Sequence, residues 1–417
     1  MENSVNNSVR KNRTICLPIK EASYMEIVQD SRTFRYWIDE NITNYPGLFP
    51  PQIQQGYLMK DDRIPKKLSI PIRRITIGGV SYSIRPSFVM PYMAGLSDKV
   101  EPAMFLRKFS VPYWAIARNY GHNPMYWYRL ECSLGRNSIV GTTVQTKEKL
   151  TQNLVVDEKH THHLGEKVYI ATTVGSHCVL GASIAVNADE ESLLNAYQIF
   201  KEEARTLDPE YTPTTVNTDG WTATQNAWKK LFPKVTLILC ILHIFISMRD
   251  RLRRKAHDLL KTIGEYFWDC YHSPDKFHFA QRIRRFCEWA KKTSSLPGVV
   301  FEKIQKLRKN RSLFGVAYDF PEAHRTSTML DRAMQRMDRH LFTTQYFHGK
   351  KSSAELSIRG WTLIYNFAPW NPYTQKLSGW QSYAEQLNGA RYHDNWLQNL
   401  LISASLGGFR SPPQNPV

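Results

Sequence analysis

The chain is poor in cysteine for its 417 residues, and the six it has (Cys16, Cys132, Cys178, Cys240, Cys270 and Cys287) stand apart with no C-x2-C pair. That spacing excludes a zinc ribbon and a disulfide scaffold and fits a reducing, cytoplasmic compartment. There is no run of 18 or more apolar residues, so no membrane span is expected. Residues 1–11 are polar and Asn/Ser-rich without an apolar stretch, so no secretory signal is expected. No internal repeat is found. Acidic residues are in short supply: 37 Asp+Glu face 55 Lys+Arg, a formal charge of +18. This excess points to a polyanionic partner and away from a metabolic enzyme with an acidic surface. What is there is globular: 42% of residues are hydrophobic and 22% charged, over a length that suggests two to three domains.

The charge is unevenly placed. Residues 1–149 carry a net +9, residues 150–243 a net −4, residues 244–311 a net +10 and residues 312–417 a net +3. An acidic segment between two basic ones is what a carboxylate metal site flanked by phosphate-binding surfaces would need. Along the chain, residues 100–135 read as helices around Gly121, and Ala117-x3-Gly121 has the spacing of a helix-turn-helix. In that reading Arg118, Tyr126, Tyr128 and Arg129 face a DNA groove; a packed helical hairpin is the competing reading. Residues 153–157, 167–174, 178–186, 214–218 and 234–242 read as strands, with helices over 188–207 and 221–232. The order βββαβαβ predicts an α/β sheet whose first three strands are antiparallel and whose later strands are parallel. Residues 244–311 read as basic helices with apolar stripes, and Arg249, Arg251, Arg253, Arg254 and Lys255 cluster as candidate phosphate contacts. Residues 326–342 read as a helix capped by Thr or Ser.

Asp157 and Asp219 close two of these strands. A carboxylate at the end of a central strand is costly to desolvate unless it is paired or binds metal. Two such aspartates on neighbouring strands, with a third carboxylate brought by a helix, make an all-oxygen site suited to Mg²⁺. Two Mg²⁺ ~3.5–4 Å apart can activate a water or a 3′-hydroxyl for in-line phosphoryl displacement. Cys240-x2-His243 lacks the second half of a zinc site and reads as packing or hydrogen bonding. His160, His162 and His163 read as a polar turn, or as phosphate contacts near the metals. Glu158 is a candidate support for Asp157.

These residues resemble a known family. The run Val216-Asn217-Thr218-Asp219-Gly220-Trp221, then Ala223-Thr224, Ala227-Trp228, Leu231-Phe232-Pro233 and Cys240-x2-His243, is similar to bacterial DDE-type insertion-sequence transposases, in particular the Mutator-like superfamily. Arg325-Thr326-Ser327-x3-Asp331, followed by Arg336, resembles that superfamily's third acidic motif. Gln345-Tyr346-Phe347-His348-Gly349, Arg359 and Asn366-Phe367 resemble the segment that trails it. The likeness covers about residues 150–370 strongly and the N-terminal 150 loosely.

The resemblance implies an RNase H-like core with a helical insertion, and a mainly helical N-terminal DNA-binding region. It divides the chain into residues 1–149 (DNA-binding), 150–243 (first part of the core), 244–320 (basic insertion), 321–372 (end of the core) and 373–417 (C-terminal tail). By position, Asp157, Asp219 and Asp331 match the three acids that hold two Mg²⁺ ions, for which Mn²⁺ can substitute. The implied activity is cleavage at the ends of an insertion sequence and joining to target DNA, by chains assembled on paired ends in the bacterial cytoplasm. Two departures stand out: Thr328 takes the place of the usual Asn, and the third acid is Asp in place of Glu. Glu355 on the next helix is a rival third acid; the Thr-Ser start favours Asp331. A nuclease on the same fold that cuts without joining, and a DNA-binding remnant without activity, are the alternatives.

Overall fold

The computed structural model describes residues 12–252 and 257–409. Its architecture is mixed α/β, built from two sheets and many helices. The N-terminal unit runs β1 (Thr14–Leu17), α1 (Glu21–Ile27), α2 (Ser31–Asn44), β2 (Leu58–Arg63), β3 (Ile72–Ile77), β4 (Val80–Pro86), α3 (Ser97–Lys108), α4 (Tyr113–Tyr120), α5 (Pro124–Leu134) and α6 (Ile139–Thr143). Helices predominate in this unit, and its first half adds a four-stranded sheet in the order β1-β4-β3-β2 that was not expected. Its strands are short, and β1 reaches its parallel partner β4 across more than 60 residues of chain. Local periodicity does not reveal such a pairing.

The second sheet carries the expected order of elements. β5 (Asn153–His163), β6 (Glu166–Gly175) and β7 (Cys178–Ala185) precede α7 (Glu190–Leu207), β8 (Thr215–Thr218), α8 (Thr222–Leu231) and β9 (Thr236–Leu239). The spatial order is β7-β6-β5-β8-β9. The first three strands pair antiparallel, and β5, β8 and β9 pair parallel. Both hairpins turn on two residues with positive φ, Leu164–Gly165 and Ser176–His177, the backbone that matches the twist of the flanking strands. α7 and α8 cover one face with Leu193, Phe200, Trp228 and Leu231.

β5 is longer than expected. It continues past Asp157 to His163, so His160, His162 and His163 lie in a strand and not in a turn. The cause is long-range: beyond Val155, where pairing with β8 stops, β6 alone continues the ladder.

After β9 comes a helical insertion of α9 (Leu242–Leu252), α10 (His257–Tyr271), α11 (Lys276–Lys292), α12 (Gly298–Lys309) and α13 (Arg311–Gly315). It has its own core, which includes Phe267, Phe279, Ile283, Phe286 and Ile304. The chain then returns with α14 (Thr328–Thr343) and α15 (Lys351–Phe367), which cover the other face of the second sheet. α15 crosses α5 at backbone contact: a Cβ on Gly360 would lie 2.1 Å from the Glu131 carbonyl oxygen.

Residues 373–409 are not a tail, and this expectation too is corrected. α16 (Pro372–Ser378), α17 (Tyr383–Asn388) and α18 (Trp396–Ser403) follow, and every residue of α18 is buried. A short, mostly apolar helix buried on all sides belongs to a core. Here it completes the N-terminal one, and beyond it Ser405 Oγ accepts from Cys16 N (3.1 Å) and donates to the Leu48 carbonyl (2.7 Å).

Candidate metal centre

β5 and β8 run parallel with Val155 opposite Asn217. Continuing that register by two residues sets Asp219 beside Asp157. Asp157 thus sits within β5 and not at its end, at the point where the strand loses its β8 neighbour. The gap that β8 leaves gives the carboxylate an open side. Asp219 is exposed, and its Oδ1 accepts from Trp221 N (2.8 Å), which fixes the turn beyond the strand. Asp157 Oδ1 accepts from Glu158 N (2.8 Å).

The third acid arrives from the segment before α14, which is tied across the ends of β8 and β9. Asn217 Nδ2 donates to the His324 carbonyl (2.8 Å), and Ser327 N donates to Cys240 Sγ (3.3 Å). Ser327 stands at the expected cap position but makes no cap hydrogen bond with its side chain. Its hydroxyl donates to Asp331 Oδ2 (3.2 Å) instead, and so orients that carboxylate.

Electrostatics ties the three together. Burial, with Asp219 and Asp331 adding to it, pushes the Asp157 carboxyl up to about 6, against the opposing pull of the Glu158 amide and His243. Burial also raises Asp331, offset in part by Ser327 and His243. His243, in the first turn of α9, is the cation of the group. Hydrogen bonding with Cys240 lifts it to about 9 despite burial, and the charges of Cys240, Asp157 and Asp219 add to the rise. Burial pushes the Cys240 thiol up, but His243 and Ser327 overcome this and the net direction is down. The C-x2-H motif read as packing or hydrogen bonding therefore places a positive ring against the aspartates. The sequence showed the motif at a strand end, but only the pairing of β9 with β8 brings it to the aspartates.

Among the described residues, no group of three or more His, Cys, Asp and Glu side chains is gathered tightly enough to hold a metal ion. The three aspartates share a rim without forming a closed cage. The donor set nevertheless fits Mg²⁺ in its chemistry: the oxygens are hard ligands, and one of the carboxylates is raised by its like-charged neighbours.

The other candidates divide. Glu355 does not face the rim: its Oε1 accepts from Ile184 N (2.9 Å) beside β7. Glu158 points to the opposite face of the sheet, where Oε1 accepts from Tyr197 (2.7 Å) and Thr224 (2.8 Å), so its side chain does not support Asp157. His160 packs edge-on to Tyr169, His162 edge-on to Tyr346, and His163 bonds the Gly349 carbonyl.

In residues 100–135, Tyr126 and Tyr128 are half-buried. Their hydroxyls donate to the carbonyls of Ala94 (2.7 Å) and Ser353 (3.4 Å). α5 packs Trp127, Leu130 and Leu134 inward, as the hairpin reading expects, while Arg118 and Arg129 are exposed. Arg249 turns onto Asp250 (3.1 Å), and Arg251 is exposed. Arg253, Arg254 and Lys255 lie outside the described residues. The reading did not single out Lys306, Arg308, Lys309 and Arg311 at the end of α12, which line one exposed basic concavity of about 890 Å³. No family model matches the chain, and no curated protein is similar enough to count as a relative.

Proposed function

We propose that this chain is a DDE/D transposase that cleaves DNA at the ends of an insertion sequence and joins them to a target, with Asp157, Asp219 and Asp331 as the Mg²⁺-holding acids. The observation that carries this reading is the rim itself, where Asp219 just beyond β8 and Asp331 on α14 both lie near enough to Asp157 on β5 to raise its carboxyl. An RNase H-like core belongs to the same proposal. It is supported by the strand order, with three antiparallel strands continued by two parallel ones and a basic helical insertion before the third acid.

Mg²⁺ bound there would supply Lewis-acid activation of the attacking hydroxyl and neutralise charge at the phosphodiester. The chain's own residues prepare the place. The Trp221 amide and the Ser327 hydroxyl orient the carboxylates of Asp219 and Asp331. The His243 ring supplies a fixed positive charge that offsets their repulsion. Exposed cations on the insertion suit a phosphate backbone. A pair of chains acting on paired DNA ends comes with the family resemblance.

The test uses a supercoiled plasmid carrying the DNA that flanks the gene in its host, with Mg²⁺ or with EDTA. The expected result is metal-dependent cleavage and joined products, lost in Asp219→Ala and Asp331→Ala and retained in Glu355→Ala. Loss in Glu355→Ala with retention in Asp331→Ala would reassign the third acid. Cleavage without joining would make the chain a nuclease, and DNA binding without any cleavage would sink the enzymatic reading.

A further inference from the structure

A large aromatic-lined cavity lies away from the aspartate rim. It opens in the N-terminal unit between the loop after β4, α5 and the start of α15, with a volume of about 1110 Å³. Its walls are aromatic: Tyr92, Tyr126 and Tyr128 line it, and the His122 ring stacks on Tyr126 at 4.0 Å between centroids. Tyr92 is 62% exposed and, like Met93 after it, has a positive φ (59° and 53°). A non-glycine pair in that region is strained, and strain of this kind concentrates at ligand sites. The Arg136 guanidinium lies 5.3 Å from the Tyr92 ring centroid. With Lys99, Arg129 and Lys67 it puts four cations on the lining, which includes no Asp or Glu.

Aromatic faces that accept a base, next to cations with no competing carboxylate, match the two halves of a nucleotide. A duplex keeps its bases stacked inside and offers a concave pocket only its backbone. An unstacked nucleotide offers both parts at once. We infer that this cavity binds a nucleotide of single-stranded DNA, the base against Tyr92 and Tyr126 and the phosphate on Arg129 and Arg136. The choice of DNA as its source rests on the function proposed above; the match to a nucleotide does not.

The test measures binding of the full chain, in EDTA, to a fluorescent short oligothymidylate and to the same oligomer with abasic sites throughout. Free thymidine monophosphate serves as competitor. The expected result is binding at least roughly fivefold weaker without bases, with a similar loss in Tyr92→Ala and Arg136→Ala. Both side chains are exposed, so neither substitution removes core packing. Equal affinity for the abasic oligomer, or unaltered binding in both cavity variants, would overturn the inference. Thymidine monophosphate binding as tightly as the oligomer would overturn the DNA assignment in favour of a free nucleotide. The two proposals fail separately. Base-dependent binding with no cleavage of any DNA defeats the transposase reading alone, and cleavage with abasic-insensitive binding defeats only this one.

Discussion

Two clusters of carboxylates sit on either side of the second sheet's helical cover, and they are built on opposite principles. In the first, Glu131 on α5 is wholly buried and fully answered. Arg107 Nε donates to it (2.7 Å), Tyr113 OH donates to it (2.8 Å), and Arg107 Nη2 reaches His340 Nδ1 on α14 (3.0 Å). Burial pushes the Glu131 carboxyl up, but the Arg107 charge and the hydrogen bonds from Arg107 and Tyr113 outweigh it and the net direction is down. Burial, with Arg107 beside it, drives His340 down to about 3, so its ring is neutral and accepts the arginine hydrogen bond. In the second cluster, Asp219 and Asp331 add to the burial of Asp157 and push its carboxyl up, with His243 opposing them. The same helix, α14, serves both: its first turn carries Asp331 to the rim and its last turn is bolted to the N-terminal unit. A satisfied charge network locks elements together. A carboxylate cluster left short of positive charge is a place kept for a cation, and that cost makes sense only at a functional site.

The largest effect that would break this comparison is catalytic. Asp219→Asn should lower Mg²⁺-dependent plasmid cleavage by roughly a thousandfold or more, about 4 kcal/mol of barrier, while leaving the urea unfolding midpoint close to that of the unaltered chain. Normal cleavage by this variant would remove the rim from the chemistry. Next comes the sealed network. Glu131→Gln strands the Arg107 charge in the interior and should cost about 3–5 kcal/mol of stability, measured by equilibrium denaturation. A loss under 1 kcal/mol would show that the network is not the bolt described here.

The two clusters should also respond to pH with opposite sign. The folded state raises Asp157 from 3.8 to about 6, so the native chain binds the extra proton and loses stability as pH rises through that window. Glu131 is depressed, so its contribution is present above its unfolded value and is lost on acidification. Asp157→Asn should therefore stabilise the metal-free chain at neutral pH by about 3 kcal/mol, and remove the decline between pH 3.8 and about 6. Thermal melts across that range in EDTA would show it, and an unchanged profile would contradict the electrostatic picture of the rim.

Glu355 sharpens the comparison from the side. Glu355→Ala leaves the Ile184 amide without its partner and should cost about 1–3 kcal/mol, with cleavage per folded molecule retained. The smallest effect expected is at the insertion. Removing Arg308 or Arg311 should reduce the salt slope of DNA binding by roughly one each, whereas Arg249→Ala, already engaged by Asp250, should change it less.

The order of elements in the second sheet was legible before any coordinates, because alternating β-branched runs and helical stripes are local signals. The same holds for the second of the two antiparallel turns, the stripes of α10 and α11, and the Thr-Ser start of α14. Asp157 and Asp219 could be named from the expected strand ends and Asp331 from the family resemblance, but their neighbours could not. Whether Glu355 faces the rim or β7 depends on how α15 crosses the sheet, and that crossing is set by Gly360 lying against α5. The role of His243 depends on β9 lying beside β8. The N-terminal sheet and the return of α18 into the core of residues 12–134 are pairings between distant segments, and no window of sequence contains both partners. Periodicity along the chain thus determined which elements form and which face of each is apolar. Only the tertiary structure decided which charges are answered and which are left open, because that balance depends on distances between groups that the chain brings together only when it folds.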